Sequence, residues 1–595
     1  MDNIIKLQKS LSDKYEGDEK QLEVIFTDEP RILVNAPAGY GKTHTMVSKI
    51  AYMIASNQIP NPKRLLALTF SLNAAYKIKK DVIAQVPTIL NATGNNSSTT
   101  DRIKVTNYHG LCRHILKLYG YKIDKKLSQI ELLENFDDST NEKIIIHFPN
   151  ISQENSAVLT DFNASVKEKK GLKINEQIDN YNKVIVIEII THGKLPYNAI
   201  ITLTIKLLKE FKNIRLFYQE LYCVLLVDEF QDTNILSYWI LTLLIGDKTK
   251  LIFLGDELQR IYGFIGAYDK LFSNSVERLK LKEIKLTQNY RFRNNADMLL
   301  LDQNIRKNAE KIDNQTIINN AIINFTLCDN QEHEAQNIIL KIDDIQNKNP
   351  LSKIAILVKS GKNRNTLKII EVLQQNNISF FFGLFTDDDT EYTSFTNTCS
   401  SIFSKLLIGN SLITKKFTKG LLKEVTTFYQ DKIGFNSIID SSLKLLEIFC
   451  NKLFTEFASS KNEEKIGLIR ETFENNNLRQ YIEYVDSNVI FSTIHGAKGL
   501  EWDFVIMPDL EQNILPFYFA SCNICKSNNN CKIDISSNIP ENIFLEELSV
   551  FYVGVTRARK NIYFSASKTQ IYSNGKMGEK NVSCFLKLKG IQFKV

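Results

Sequence analysis

The apolar run Ile32-Leu33-Val34 leads straight into Ala36-Pro37-Ala38-Gly39-Tyr40-Gly41-Lys42-Thr43. The run predicts a buried strand, the glycines a tight loop, and the spacing a helix opening at Lys42. A strand, loop and helix in that order aim several backbone N–H groups and a helix N-terminus at one point. That point suits the phosphates of a nucleoside triphosphate. Lys42 would bring a mobile positive charge to the β/γ oxygens, and Thr43 a hydroxyl to Mg²⁺. Residues Ala36 through His44 form the expected ATP-binding set. Ala36 stands where such loops usually begin with glycine, and a plain glycine-rich turn has the same local look.

Composition narrows the classes. A chain of 595 residues with 43% hydrophobic and 24% charged side chains is long enough for several globular cores. Its net charge of +7 suits a polyanion without requiring one. Apolar stretches such as Val184-Ile185-Val186-Ile187 are far too short to span a bilayer, and residues 1–15 carry no apolar signal segment. Nine cysteines, an odd number, read as reduced thiols. The expectation is a cytoplasmic protein with no membrane partner.

Two further strand ends answer the loop. Val224-Leu225-Leu226-Val227 reads as a strand buried on both faces, and it ends in Asp228-Glu229-Phe230-Gln231-Asp232-Thr233. Ligands gather outside the carboxyl ends of parallel strands, so Asp228 is placed for Mg²⁺ and Glu229 to activate a water. A solvated acidic turn is the plain alternative. Leu251-Ile252-Phe253-Leu254 repeats the theme and runs into Gly255-Asp256-Glu257-Leu258-Gln259-Arg260-Ile261-Tyr262-Gly263-Phe264-Ile265. Gln259 is suited to sensing a γ-phosphate. Tyr262 and Phe264 point the same way in an extended segment and can stack on single-stranded bases. Alone, two such aromatics are as readily core residues.

Together these strings resemble the UvrD/Rep/PcrA group of superfamily 1 DNA helicases. Further strings match in order. Gln21 fits the glutamine that reads adenine. Leu66–Ala75, with Phe70 and Asn73, resembles a loop that grips DNA, as does Thr106-Asn107-Tyr108-His109-Gly110. Gln288-Asn289-Tyr290-Arg291 matches the segment whose tyrosine stacks on adenine and whose arginine reaches the γ-phosphate. Thr493-Ile494-His495-Gly496-Ala497-Lys498-Gly499-Leu500-Glu501 matches the motif joining ribose to DNA contact, and Val553–Ala558 carries the second arginine finger, Arg557.

The resemblance implies a fold and a mechanism. It implies an α/β chain with two RecA-like parallel-sheet motor domains, each carrying a mainly helical insertion. The first would comprise residues 1–109 and 216–283 around an insert at 110–215; the second, 284–382 and 486–595 around an insert at 383–485. Lys42, Thr43, Asp228, Glu229 and Gln259 would serve ATP and Mg²⁺ from one sheet, and Arg291 and Arg557 from the other. Phe70, Asn73, Tyr108, His109, Tyr262, Phe264, Thr493 and His495 would contact DNA in 3′→5′ movement along a single strand or at ss/dsDNA junctions. For both histidines a structural role is the alternative. Asn107, Arg260 and Phe264-Ile265 depart from the family's usual Thr, Ser and Trp-Arg, the last removing a cation near the strand.

Two features lie outside that frame. The tail after Arg557 is shorter than a fused nuclease needs, a compact layout similar to helicase-like subunits of anti-phage systems such as the B component of Gabija. That likeness implies an alternative, a DNA-binding ATPase that regulates a separate nuclease or effector. Cys522, Cys525 and Cys531 have a C-x-x-C pair plus one, which can bite zinc, but a structural site wants four ligands. Free loop thiols are the competing reading.

Overall fold

The structure is a computed structural model that describes residues 2–69, 72–91, 100–261, 271–312, 314–386, 389–408, 412–434, 437–458, 460–474, 476–520, 541–571 and 575–594. It divides into two compact units, Met1–Gln288 and Asn289–Val595.

The first unit is built on β1 (Arg31–Asn35), β2 (Arg64–Thr69), β3 (Ile103–Asn107), β6 (Tyr222–Val227), β7 (Lys250–Gly255) and β8 (Lys282–Lys285). They pair in the order β3-β2-β6-β7-β1-β8, parallel throughout. Val224–Val227 and Leu251–Leu254 are buried on both faces, as their unbroken apolar runs require. Each such side chain contributes about 1.5–3 kcal/mol by leaving water. Helix Lys42–Ala55 covers one face, burying Met46, Val47, Ile50, Ala51 and Ile54 at helical spacing. Between β3 and β6 the chain forms helices Tyr108–Tyr119, Gln153–Lys167, Gly171–Val184, Tyr197–Glu210 and Lys212–Leu221. A short parallel pair, β4 (Glu134–Phe136) and β5 (Lys194–Pro196), lies among them.

The second unit has a seven-stranded sheet, also parallel. Its strands are β9 (Ala321–Cys328), β10 (Ile354–Val358), β11 (Phe381–Gly383), β12 (Val489–Thr493), β13 (Trp502–Met507), β14 (Ala558–Ser567) and β17 (Ile591–Lys594). The order is β11-β12-β10-β13-β14-β9-β17. A separate antiparallel pair joins β15 (Thr569–Ile571) to β16 (Met577–Glu579). Between β11 and β12 the described residues form the α-helices Thr390–Ile408, Lys415–Phe428, Ser437–Thr455 and Asn462–Glu474. The chain is α/β with two parallel sheets. No helix among the described residues is long and apolar enough to cross a membrane.

Candidate functional site

Parallel pairing brings the carboxyl ends of β1, β2, β3, β6 and β7 to one edge of the first sheet. The loop after β1 is shaped by its glycines: Gly39 and Gly41 take φ of 84° and 77°, where a side chain would be strained. Ala36 adopts no such backbone, which explains why alanine serves at the first position. Its N–H donates to Gly255 O at 2.8 Å, tying the loop to β7. Helix Lys42–Ala55 then begins directly after Gly41, so its unpaired N–H groups face the loop. Thr43 is half-buried on the first turn and His44 is exposed.

Lys42 Nζ stands 3.0 Å from Asp228 Oδ1 and also contacts Glu229 Oε1. Burial alone would push the Lys42 ammonium down, but the charges of Asp228 and Glu229 outweigh it and hold it above its ordinary value. Asp228 is raised by burial and by the neighbouring Glu229, with Lys42 opposing. Glu229 stands at φ 51°, a backbone region that a glutamate adopts only under tertiary constraint. Gln231 supplies part of that constraint: its Nε2 donates to Glu229 Oε2 at 2.6 Å and its Oε1 accepts from the Asp256 N–H at 3.1 Å. Gly255 must be glycine here, since a Cβ would lie 2.4 Å from Gln231 Oε1. Gln259 Nε2 in turn donates to Asp256 Oδ2 at 2.8 Å. The amide of Gln231 therefore links the two acidic strand ends, a role that the sequence did not announce.

The adenine side also fits a nucleotide. Gln21 is buried, its Nε2 donates to Tyr40 O at 3.2 Å, and its Oε1 is enclosed with no hydrogen-bond partner. That orphaned acceptor matches the exocyclic amine of an adenine edge. Lys49 on the phosphate-loop helix donates to Ile25 O and Thr27 O, at 3.1 and 2.7 Å, fastening the end of the Gln21 helix. Burial lowers the Lys49 pKa to about 8, with Lys250 adding to the shift.

The second unit gathers its own set. Asn289 Oδ1 accepts the Phe292 N–H at 3.0 Å, shaping the turn on which Tyr290 is 38% exposed. Arg291 donates to Thr556 O and pairs with Glu501, while Arg559 holds the other Glu501 oxygen at 2.8 Å. Arg557 is 4% exposed, and its Nε, Nη1 and Nη2 donate to Val553 O, Leu500 O and Thr556 Oγ1 at 2.9, 3.0 and 3.0 Å. Glu501 and Arg557 sit where β13 and β14 begin; Thr493 and His495 sit where β12 ends.

Of the strand-facing set, Tyr108 is 3% exposed and heads the buried stripe Leu111, Cys112, Ile115 and Leu116. The stripe's 3–4 spacing was visible in the sequence. Thr493 is 2% exposed and its Oγ1 accepts the Gly496 N–H at 3.0 Å. His109 packs on Tyr197 with ring centroids 4.4 Å apart, and burial, helped by Arg113, pushes its pKa down to about 3. His495 is lowered to about 4 by burial and then by Lys359, Lys498 and Arg479. Asn107 caps helix Tyr108–Tyr119 by accepting the Gly110 N–H at 2.7 Å, work that a threonine hydroxyl does equally well. Asn73 lies on helix Leu72–Asn91; Phe70, Tyr262 and Phe264 lie outside the described residues, as do Cys522, Cys525 and Cys531.

Comparison with known proteins agrees with this layout. Residues 18–280 match the UvrD/REP helicase N-terminal domain, and residues 284–387 and 421–569 match the UvrD-like helicase C-terminal domain. The chain belongs to the UvrD-like superfamily 1 helicases. Within this family it is 24% identical to a probable DNA helicase II homolog of Rickettsia conorii, over 93% of this chain and 92% of that one. It is 24% identical to the ATP-dependent DNA helicase Rep of Buchnera aphidicola, over 90% and 92%. To the ATP-dependent DNA helicase PcrA of Staphylococcus epidermidis it is 22% identical, over 93% and 83%. The two parallel sheets are those of RecA-like motor domains.

Proposed function

We propose that this chain is an ATP-dependent DNA translocase and helicase that moves 3′→5′ on single-stranded DNA and unwinds ss/dsDNA junctions. The observation that carries the reading is the placement of Lys42, Asp228 and Glu229 in one ion-pair cluster, on the same sheet edge as the carboxyl ends of β2 and β3. Nucleotide chemistry and strand contact then share one rigid element. The relatives named Rep and PcrA support the substrate.

Each residue has a role in this account. Lys42 exchanges its acidic partners for the β/γ oxygens, and the N–H groups of Gly39 to Thr43 hold the phosphates. Thr43 and Asp228 would hold Mg²⁺, which supplies charge neutralisation across the phosphates when bound. Glu229, oriented by Gln231, accepts the proton of the attacking water. Arg291 and Arg557 stabilise charge on the transferring phosphoryl group, and Tyr290 stacks on the base. Gln259 reports the γ-phosphate to the adjoining segment with Tyr262 and Phe264. The residue groups proposed as domains are the two sheets with their inserts at 110–215 and 383–485.

Strand displacement on duplexes tailed at either end tests the reading. ATP-dependent displacement of the 3′-tailed substrate alone is the expected result. ATP turnover stimulated by DNA without displacement from either substrate would instead favour a regulatory ATPase acting on a separate effector.

A further inference from the structure

Among the described residues, one group of acidic side chains lies together away from the phosphate loop. Glu334, Asp509 and Glu511 each offer a carboxylate oxygen within 4.8 Å of the others. Their exposures are 0%, 2% and 2%. Glu334 comes from the first turn of helix Gln331–Lys348, and the other two follow the end of β13. Three formal negative charges are thus enclosed together, and none has a lysine, arginine or histidine ion-pair partner among the described residues. An enclosure of this kind is costly unless a positive charge or protons fill it.

The hydrogen bonds present account for only part of the oxygens. Glu334 accepts from Ser565 Oγ at 2.6 Å, Asn365 Nδ2 at 2.9 Å and Ser567 Oγ at 3.2 Å. Asp509 accepts from the Asn363 and Asn365 amides. Glu511 Oε1 accepts from the Ser567 N–H and hydroxyl. Glu511 Oε2 is enclosed with no partner at all. Asn365 Oδ1, on a side chain with 0% exposure, is a second enclosed and unpartnered acceptor beside the same carboxylates. Rotating that amide by half a turn would aim its oxygen, rather than its nitrogen, at Glu334 and Asp509. The local chemistry has a surplus of oxygen acceptors and a shortage of positive charge.

We propose that Glu334, Asp509 and Glu511, with Asn365 Oδ1, form a divalent-cation site in the second unit that prefers Ca²⁺. All the donors are oxygens, with no thiol or imidazole, which selects a hard cation. Mg²⁺ sheds its waters reluctantly and is seldom held in an all-protein cage, whereas Ca²⁺ accepts one, so carboxylates this enclosed favour Ca²⁺. Bound there, the ion joins the loop after β13 to the start of helix Gln331–Lys348 and, through Asn365, to helix Arg364–Gln375. Its role is to hold together the carboxyl-end loops of the second sheet.

The test uses the full chain, free of nucleotide and stripped with chelator, then equilibrated with Ca²⁺ or Mg²⁺ alone. Elemental analysis after gel filtration should find a single equivalent of Ca²⁺ retained. The melting temperature should rise by several degrees with Ca²⁺ and less with Mg²⁺. Glu511→Gln should abolish both effects, and Asp228→Asn should leave both in place, separating this site from the phosphate loop. Should Glu511→Gln fail to fold, Asp509→Asn is read in the same way, and the wild-type stoichiometry decides alone. Retention of no Ca²⁺ above background by the wild type, or an equal Ca²⁺ response in the charge-removing variant, would overturn the proposal.

Discussion

The two sets of motif residues are built on opposite plans. In the first unit Lys42, Asp228 and Glu229 leave the carboxyl ends of parallel strands and are satisfied chiefly by each other. In the second, Arg291 and Arg557 are engaged by Thr556, Glu501, Val553 and Leu500, and Arg557 precedes the start of β14. A cluster of mutually paired charges can open for a ligand without disturbing the core beneath it. An arginine knitted into backbone carbonyls cannot leave without cost to its own unit. The contrast teaches that similar motif signals can mark very different commitments to the fold.

The largest effect should come from the first unit. Lys42→Ala should lower ATP turnover by about 10³-fold or more, and Glu229→Gln by about 10²–10⁴-fold with nucleotide affinity retained. Single-turnover hydrolysis beside equilibrium nucleotide binding checks both. A Glu229→Gln protein hydrolysing ATP near the parent rate would remove the water-activating role.

The arginines sharpen the comparison. Each alanine variant should cut kcat by about 10²–10³-fold, since both act on transition-state charge. Only Arg557→Ala should also destabilise the fold strongly, by about 2 kcal/mol, because the buried guanidinium's hydrogen bonds to Leu500 O, Val553 O and Thr556 Oγ1 are lost together. Chemical denaturation followed by Trp fluorescence reads this difference. Equal stability losses in the two variants would break the contrast drawn between them.

Strand stacking should give a smaller, separable effect. Phe264→Ala should weaken single-stranded DNA binding by roughly 1–3 kcal/mol while leaving basal ATP turnover near the parent value. Fluorescence anisotropy on a labelled oligonucleotide measures it. Parent-like binding would return Phe264 and Tyr262 to the alternative of core residues.

The smallest effect is on pH dependence. His109 is held neutral, with a pKa of about 3 against an ordinary 6.5, so the unfolded chain binds the extra proton as pH falls. Stability from this group is complete above about pH 6.5 and is lost progressively as pH drops toward 3. His109→Gln should reduce the loss of stability between pH 7.5 and 5 by about 2 kcal/mol. Urea unfolding at those two pH values decides, and an unchanged slope would mean that the imidazole is not enclosed.

Much of the layout could be read along the chain. Unbroken apolar runs marked β1, β6 and β7 because strands buried on both faces must be apolar throughout. The phosphate loop and Asp228-Glu229 were legible for the same reason. What escaped depends on pairing between distant segments. Gln231 links the two strand ends through a hydrogen bond from the Asp256 backbone, 25 residues away, as well as one to Glu229. The carboxylate cluster joins Glu334 to the Asp509 N–H across 175 residues, and no local pattern signals such a meeting. Tyr108 is different: its burial follows from the apolar stripe it heads, which the sequence spacing already showed.

The central claim is that one sheet edge couples ATP chemistry to a DNA strand. Steady-state ATP turnover of the full chain, measured as single-stranded DNA is titrated in, tests it most directly. The account predicts a saturable rise of about tenfold or more, lost in Lys42→Ala. Turnover that stays flat across the titration, in a protein that still binds the oligonucleotide, would contradict it.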